Sequence, residues 1–280
     1  MSKLSTPPSN PLLPPLSARN DDVDPTRETT PKNQNPQKLC ANCRVPFSPS
    51  NTQIHFYPLV RVANTRMRYP VMKFGGRILY SQTSIEVEKA AKELLKNLEL
   101  EKRESGQVVL GLDIEWRPTF KKGVAARKAA VMQICGDTSH CYVMHIFHSG
   151  IPQSLQFLLE DPTLLKVGIG IGGDAVKIFK DYCISIKAVE DLCCLAKQKL
   201  GGHSHWGLAS LTKMLISKEL HKPRKIRLGN WEKILSNEQL EYAATDAFAS
   251  WYLYQVLKGL PNLEEVAADK GIEELEGVKS

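Results

Sequence analysis

The stretch that decides the fold is Val108-Val-Leu-Gly-Leu-Asp-Ile-Glu-Trp116. Four large apolar residues and a glycine lead into two carboxylates, Asp113 and Glu115, with Ile114 between them. The run is rich in Val, Leu and Ile, and Arg117-Pro118 follows it, which predicts a buried β-strand. Residues two apart on a strand face the same side of the sheet. We therefore expect the two carboxylates to lie side by side at the end of a strand.

Two neighbouring carboxylates raise each other's pKa, and a buried charge is costly unless it is paired or bound to a metal. An isolated Asp-x-Glu pair more often opens to solvent, where both groups are hydrated. Further acids decide between these alternatives. Asp174 is predicted at a later strand–helix junction, and Tyr242 and Asp246 lie four residues apart on a long helix, so that they share one face. Small residues between them would let that helix lie close to a sheet.

The composition is that of a soluble protein. Of 280 residues, 42% are hydrophobic and 24% are charged. No apolar run approaches the roughly 20 residues that span a bilayer, and the polar, Pro-rich segment 1–16 lacks the hydrophobic core of a signal peptide. We expect an intracellular protein with no membrane partner. The seven cysteines have irregular spacing, which favours reduced thiols over a disulfide framework.

The charge is unevenly distributed along the chain. The net charge is +7, but residues 264–280 hold six acids and two lysines. The remainder carries 35 bases against 24 acids, and such a basic body suits a polyanionic partner such as nucleic acid.

Three segments are predicted. Residues 1–53 are rich in Pro, Ser and Asn and are expected to be a disordered arm. Residues 54–262 are expected to form the folded domain, and 263–280 an acidic tail. The arm contains Cys40 and Cys43, but a structural zinc site needs four ligands, so two free thiols are favoured over a bound metal.

Helices and strands are predicted to alternate in the folded part. Residues 69–80 indicate a hairpin or two short strands, and 81–105 a helix. Two strands at 129–135 and 141–146 are joined by a turn so short that they must be antiparallel. Further strands are predicted at 165–170 and 186–189, helices at 154–159, 174–183, 191–200, 208–217 and 237–260 with Asn237 as its cap, and a basic loop at 218–227. This order predicts an α/β domain with a mixed sheet.

The segment 168–173 has the form Gly-x-Gly-x-x-Gly, follows a predicted strand and precedes a helix, as in a dinucleotide-binding fingerprint with Glu190 or Asp191 as its acid. Earlier strands in the chain argue against that interpretation. Asp174 also lies at the helix N-terminus and would repel a pyrophosphate. We interpret the turn as a device that presents Asp174, with a simple helix cap as the alternative.

Four carboxylates that converge repel one another unless hard cations such as Mg²⁺ or Mn²⁺ neutralise them. Two such ions can clamp the attacking and leaving oxygens of an in-line phosphoryl displacement. Tyr242 would then hold or deprotonate the attacking water.

The order Asp113-Ile-Glu115, Asp174, Tyr242-x-x-x-Asp246 resembles the tyrosine-bearing branch of the DEDD-type 3′–5′ exonucleases. Residues 70–260 resemble most closely the exonuclease domains of Werner syndrome proteins, through three stretches: Gly111–Trp116, Lys128–Cys135, and Asn230-Trp231 with Tyr242–Phe248. The resemblance implies an RNase H-like (DnaQ-like) α/β fold, with a five-stranded mixed sheet flanked by helices. It also implies hydrolysis with two Mg²⁺ or Mn²⁺ ions, which releases nucleoside 5′-monophosphates from 3′ ends.

The resemblance also implies roles for the site residues. Asp113 would bridge both metals, Glu115 and Asp246 would serve the metal that holds the nucleophilic water, Asp174 would serve the second metal, and Tyr242 would position the water. The sequence departs from the Werner pattern at Val176, where those domains have a tryptophan, so a grip on the terminal base would be weaker or supplied elsewhere. There is no P-loop and hence no helicase half, which suggests a stand-alone nuclease and, by analogy, a separate RecQ-type helicase as partner.

Substrate contacts are expected from Trp116, Lys128, Lys177, Arg224 and Arg227, with solvated surface charge as the alternative for each. Residues 222–227 also resemble a nuclear-localisation run, so we expect the nucleus, with the cytoplasm as a further location.

The preferred function is a DNA 3′-end exonuclease. The alternatives are an RNA exonuclease of the ribonuclease D type, a nucleic-acid-binding helicase accessory with weak activity, and a dinucleotide-binding oxidoreductase. No stretch of the sequence specifies an oligomeric state.

Overall fold

A computed structural model of the protein describes residues 69–105, 107–201 and 205–262. The predicted arm at 1–53, with Cys40 and Cys43, lies outside the described residues, as does the predicted tail at 263–280. Within the described ranges, no helix is long and apolar enough to cross a bilayer.

Strands and helices alternate along the chain, as the sequence predicted. In chain order they are β1 Val71–Met72, β2 Arg77–Ser81, α1 Ser84–Ser105, β3 Val108–Glu115, β4 Val131–Cys135, β5 His140–Met144, α2 Ile146–Ser149, α3 Gln153–Glu160, β6 Leu164–Gly168, α4 Ile171–Tyr182, β7 Val189–Asp191, α5 Leu192–Leu200, α6 Leu208–Ile216, β8 Glu219–Leu220, α7 Arg224–Arg227 and α8 Asn237–Lys258.

The main sheet is mixed and has the strand order β2-β5-β4-β3-β6-β7. Strand β3 lies inside it, antiparallel to β4 and parallel to β6. The predicted antiparallel pair of β4 and β5 is confirmed. Within the described residues the sheet has six strands, one more than the five strands that the resemblance implies. Strand β7 at one edge is three residues long and pairs in parallel with β6.

Residues 69–80 form two short strands, and the alternative of a hairpin is wrong. Strand β1 pairs in parallel with β8 in a separate two-stranded sheet, whereas β2 pairs in parallel with β5. Gly76 lies against the backbone carbonyls of Thr138 and Ser139, where a side chain would not fit. This close approach directs the chain onto β5 instead of back onto β1.

Two other local predictions need correction. The basic loop predicted at 218–227 contains β8 and α7, because Leu220 is buried in the core and Pro223 precedes the short helix. Helix α8 is capped by Ser236 and not by Asn237. The Ser236 hydroxyl accepts a hydrogen bond from the Gln239 amide, and the Gln239 side chain accepts one from the Ser236 amide, which forms a capping box.

The two faces of β3 pack against different layers. Val108, Leu110, Leu112 and Ile114 belong to a core that includes apolar residues of α1, α3 and α4. Gly111 lies on the other face, directly against the backbone of α8. Because side chains alternate along a strand, Asp113 and Glu115 share this second face with Gly111. The same-face prediction is confirmed, and the sheet–helix contact brings α8 to the two acids.

Gly111 sets the distance between α8 and β3. A Cβ atom at this position would collide with the Ala247 carbonyl and would also crowd the Trp251 backbone. The small residues Ala243, Ala244 and Ala247 are fully buried on the same helix. The predicted close approach of this helix to the sheet is therefore present, and it depends on residues without bulk on both sides.

We expect Gly111→Ala to lower the free energy of unfolding by about 2–3 kcal/mol, because the new methyl group overpacks a backbone contact. Urea denaturation measures this change. Gly75→Ala is the matched control, since no atom lies near a Cβ at that position. Equal stability of the two variants would contradict the role of Gly111 as a spacer.

Candidate active site

Three carboxylates meet where β3 ends beneath α8. Oxygen atoms of Asp113, Glu115 and Asp246 all lie within 4.8 Å of one another. Asp246 is only 3% exposed, and the other two acids are half-buried. The structure thus brings together the strand pair and the helix acid that the sequence singled out.

Asp174 lies apart from this tight cluster but lines the same cavity, which has a volume of about 350 Å³. Its charge contributes to the raised pKa of Glu115. The N-cap of α4 is Gly170, whose φ of 72° places it in the left-handed region. Asp174 is therefore within the first turn, and the alternative in which it only caps the helix is wrong.

Asp191, one of the two candidate acids of the dinucleotide interpretation, has a structural role next to the glycine-rich turn. One Asp191 oxygen accepts a hydrogen bond from the Gly170 amide at 2.9 Å, and the other accepts from the Cys193 amide at 2.8 Å. Asp191 thus caps α5 and ties it to the turn. Since both oxygens are engaged within the protein, they are not presented to a ribose, which argues against the dinucleotide interpretation.

Burial and mutual repulsion raise the pKa values of the clustered acids. For Asp113, burial and the Asp246 charge raise the pKa to about 7. For Glu115, burial and the Asp113 charge raise the pKa to about 9. Burial also raises the pKa of Asp246, while Lys222 opposes that shift. At neutral pH, bound protons or cations therefore stabilise the cluster strongly.

Tyr242 is 7% exposed and lies one helical turn before Asp246, and both side chains line the cavity. Burial, and then the negative charge of the neighbouring acids, raises the pKa of Tyr242 above its usual range. The phenol therefore stays protonated. This environment favours the role of holding a water molecule over that of removing its proton.

Lys222 also belongs to the site, and its position there was not predicted from the sequence. Its ammonium lies 2.7 Å from an Asp246 oxygen and 5.8 Å from the centre of the Tyr242 ring. In the sequence, Lys222 is one base in a run of bases, and no spacing rule connects it to the acids. Only the path of the chain from β8 to α7 brings it into the cavity.

Gln133 was also missed. It lies directly opposite Asp113 in the β3–β4 pairing, is fully buried, and its amide nitrogen lies 3.5 Å from an Asp113 oxygen. A signal for it existed, because Gln133 is the one polar residue in the run 131–135. It can act as a positioning residue for the Asp113 carboxylate.

The five predicted substrate contacts fall into different surroundings. Trp116 and Arg227 line the cavity with the acids. Lys177 lies 5.0 Å from the Trp116 ring centre, but its ammonium is also 2.9 Å from Asp181. Lys128 and Arg224 are exposed and do not line the cavity.

A further set of ion pairs ties the β3–β4 connection to the segment before α8. Glu232, whose side chain is 14% exposed, pairs with Arg117 at 3.9 Å and with Arg127 at 3.7 Å. The neighbouring Trp231 is fully buried, and its ring centre is 6.0 Å from that of Tyr242. The segment that precedes α8 thus supports both the tyrosine and the two ends of the connection.

Comparison with known proteins identifies the family. The model of the 3′–5′ exonuclease family matches residues 81–260, a range that contains all the acids described above. The chain belongs to the 3′–5′ exonuclease family. It is therefore an enzyme of the nuclease class, which hydrolyses nucleic acid from the 3′ end.

Two relatives of this exonuclease extend the match. A 3′–5′ exonuclease of Arabidopsis thaliana is 58% identical over 231 residues, which cover 82% of this chain and 80% of that protein. The mouse bifunctional 3′–5′ exonuclease/ATP-dependent helicase WRN is 35% identical over 207 residues, which cover 73% of this chain and 14% of that protein. The predicted resemblance to Werner-type exonuclease domains is confirmed.

The fold is also found in a solved structure of Trypanosoma brucei RNase D in complex with RNA U12. The TM-score is 0.55 at 18% identity, and the match covers 66% of this chain and 64% of that one. At this identity the likeness concerns the fold alone. Together with the mixed sheet flanked by helices, it confirms the predicted RNase H-like architecture.

The donor set of the exonuclease suits hard divalent cations. Asp113, Glu115 and Asp246 offer clustered carboxylate oxygens, with Asp174 at the edge of the same cavity. Among the described residues, no histidine or cysteine joins the cluster. Oxygen donors without nitrogen or sulfur favour Mg²⁺ or Mn²⁺ over zinc.

The raised pKa values predict how stability depends on pH. A carboxyl group with a raised native pKa favours the native state at low pH, and this contribution is lost as the pH rises toward the native pKa. In EDTA, we expect wild-type protein to lose more stability than Glu115→Gln between about pH 6.5 and pH 8, because Glu115 has a native pKa of about 9. Lys166, whose pKa burial lowers to about 8, has the opposite pH dependence and is common to both proteins.

Urea denaturation of the two proteins across this range measures the difference. Added Mg²⁺ should reduce the loss in the wild type, because a metal ion replaces protons at the carboxylates. Parallel pH profiles for wild type and variant would contradict the assigned electrostatics.

Proposed function

We propose that this exonuclease acts on DNA 3′ ends with two divalent cations and releases nucleoside 5′-monophosphates. The observation that carries the proposal is the convergence of Asp113, Glu115 and Asp246 within 4.8 Å, with Asp174 and Tyr242 in the same cavity. All five residues that the family resemblance assigns to the reaction thus line one cavity.

The carboxylates would hold Mg²⁺ or Mn²⁺, which supplies charge stabilisation for an in-line phosphoryl displacement and lowers the pKa of a bound water. Asp113 and Glu115 are held at a fixed spacing by β3, while Asp246 approaches from α8. Asp174 serves the side of the cavity next to α4. Because these elements belong to one packed core, the donor oxygens are fixed before a substrate enters.

Tyr242 positions the attacking water. Tyr242 lines the cavity together with Asp246, so its hydroxyl oxygen can accept a hydrogen bond from a water molecule next to that acid. Trp231 restricts the ring from behind. The tyrosine therefore contributes orientation, while deprotonation of the water depends on the charge at the carboxylates.

Trp116 and Arg227 are the best placed of the five substrate contacts, because they line the cavity. An aromatic ring offers a stacking surface to a base, and a guanidinium offers paired donors to a phosphate. Lys177 supports Trp116 from one side. Lys128 and Arg224 would meet phosphates further from the cut bond.

A second substrate class has its own support. The Trypanosoma brucei RNase D that shares this fold was solved with RNA, and the carboxylate chemistry is the same for both polymers. We favour DNA by analogy with the Werner-type relative, which joins a 3′–5′ exonuclease to an ATP-dependent helicase and is 35% identical, whereas the RNase D is 18% identical. A binding accessory with weak activity is disfavoured, because the acidic set and Tyr242 are complete.

A competition between matched DNA and RNA oligonucleotides tests the substrate. We expect faster Mg²⁺-dependent release of mononucleotides from a recessed DNA 3′ end than from an RNA end of the same sequence. Asp113→Asn is the inactive control, with a rate lower by roughly 10³-fold since it removes a charged metal ligand, while circular dichroism shows that it folds. Faster hydrolysis of RNA would reverse the proposal in favour of the ribonuclease D type, and an active Asp113→Asn would contradict the site.

Tyr242→Phe removes only the hydroxyl. We expect kcat to fall roughly 10- to 100-fold, as for the loss of one hydrogen bond of about 1.5–3 kcal/mol to a charged or reacting group. KM and the Mg²⁺ requirement should stay close to wild type, since the ring and the carboxylates remain. Single-turnover hydrolysis measures the step, and an unchanged rate would assign Tyr242 to packing alone.

Two further proposals concern the cell. Arg224, Lys225 and Arg227 are exposed on α7, so this basic run is accessible to an import receptor, which supports a nuclear location with the cytoplasm as a further site. A separate RecQ-type helicase as partner follows by analogy with the mouse relative, which carries both activities in one chain.

A further inference from the structure

Lys222 enters the carboxylate cluster from the segment between β8 and α7. Its ammonium is 2.7 Å from an Asp246 oxygen, and its side chain is 28% exposed. It lines the cavity together with Asp113 and Glu115. The Lys222 ammonium therefore lies at the carboxylate cluster, while part of its side chain stays in contact with solvent.

The contact uses the same carboxylate that a metal ion would use. The Asp246 side chain is 5% exposed, so little water screens its charge. An ammonium and a divalent cation on one such carboxylate lie close together and repel strongly, because the local dielectric is well below that of water. Lys222 and a metal ion at Asp246 therefore compete.

The lysine is the movable member of this pair. Asp246 is fixed within helix α8, and its neighbours Thr245 and Ala247 are buried. Lys222 lies outside any helix or strand, and exposed residues, His221 and Pro223, flank it. A lysine ammonium sits at the end of a flexible four-carbon stem. It can therefore leave Asp246 for the open side of the cavity without movement of the backbone.

We propose that Lys222 is an exchangeable counter-ion of the active site. It neutralises Asp246 until a divalent cation binds, and it gives up the carboxylate as the cation arrives. The contact thereby sets the metal concentration at which the site fills, and it stabilises the fold when metal is scarce. This inference rests on the proposed metal site.

Calorimetric titration with Mg²⁺, without nucleic acid, tests the competition. Lys222→Gln removes the charge but keeps a donor for Asp246, and we expect it to bind Mg²⁺ about fivefold to tenfold more tightly than wild type, because the opposing coupling is gone. The titration is made at pH 8.5, where fewer protons compete for the carboxylates. Lys222→Arg keeps the positive charge and should stay close to the wild-type affinity.

Lys225→Gln is the matched control. It removes the same charge three residues away, from an exposed side chain on α7, and its Mg²⁺ affinity should change less than twofold. A thermal unfolding series gives a second readout. In EDTA, Lys222→Gln should melt below wild type, and Mg²⁺ should raise its Tm by more than it raises that of the wild type.

The outcomes separate the two proposals. If wild type binds Mg²⁺ and Lys222→Gln binds it equally well or more weakly, the counter-ion role is overturned while the metal site stands. If Lys225→Gln gains as much affinity as Lys222→Gln, net charge and not the Asp246 contact is responsible, and the inference fails. If wild type binds no Mg²⁺ in the cavity, the proposed metal site itself is lost.

Discussion

The contact between Gly111 and the backbone of α8 is the constraint on which the site depends. Without a side chain at this position, the helix settles directly onto the central strand, and Asp246 comes within 4.8 Å of Asp113 and Glu115. The carboxylates would repel one another in any loose arrangement, so only a tightly packed scaffold holds them together. The free energy of the surrounding core, which joins β3 to α1 and α3 on one face and to α8 on the other, opposes this repulsion.

The charge balance of the site follows from that packing. Burial raises the pKa of Glu115 to about 9 and that of Tyr242 further still, whereas Lys222 partly offsets the accumulated negative charge. The site thus combines carboxylates that favour a bound cation with the ammonium of Lys222, which is itself a cation. Chemistry that requires two divalent ions is compatible with such a balance, because each added ion replaces a proton or an ammonium.

Sequence reasoning located the acids because their geometry is local. A period of two places Asp113 and Glu115 on one face of a strand, and a spacing of four aligns Tyr242 with Asp246 on a helix. Lys222 depends on the path of a connecting segment, which no local rule describes. The division of residues 69–80 between two sheets likewise depends on pairing between distant segments. Tertiary contacts decided these features, and local patterns could not.

The two ion pairs of Glu232 have a consequence for how this enzyme can vary. They anchor Arg117 and Arg127, the two ends of a connection whose middle is exposed and carries Phe120 and two lysines. Both arginine side chains are about half exposed, so each pair adds little stability by itself, but the two pairs meet on one carboxylate. We therefore expect substitutions in the exposed middle part to leave the carboxylate cluster in place, while Glu232 holds the two ends of the connection next to the segment before α8.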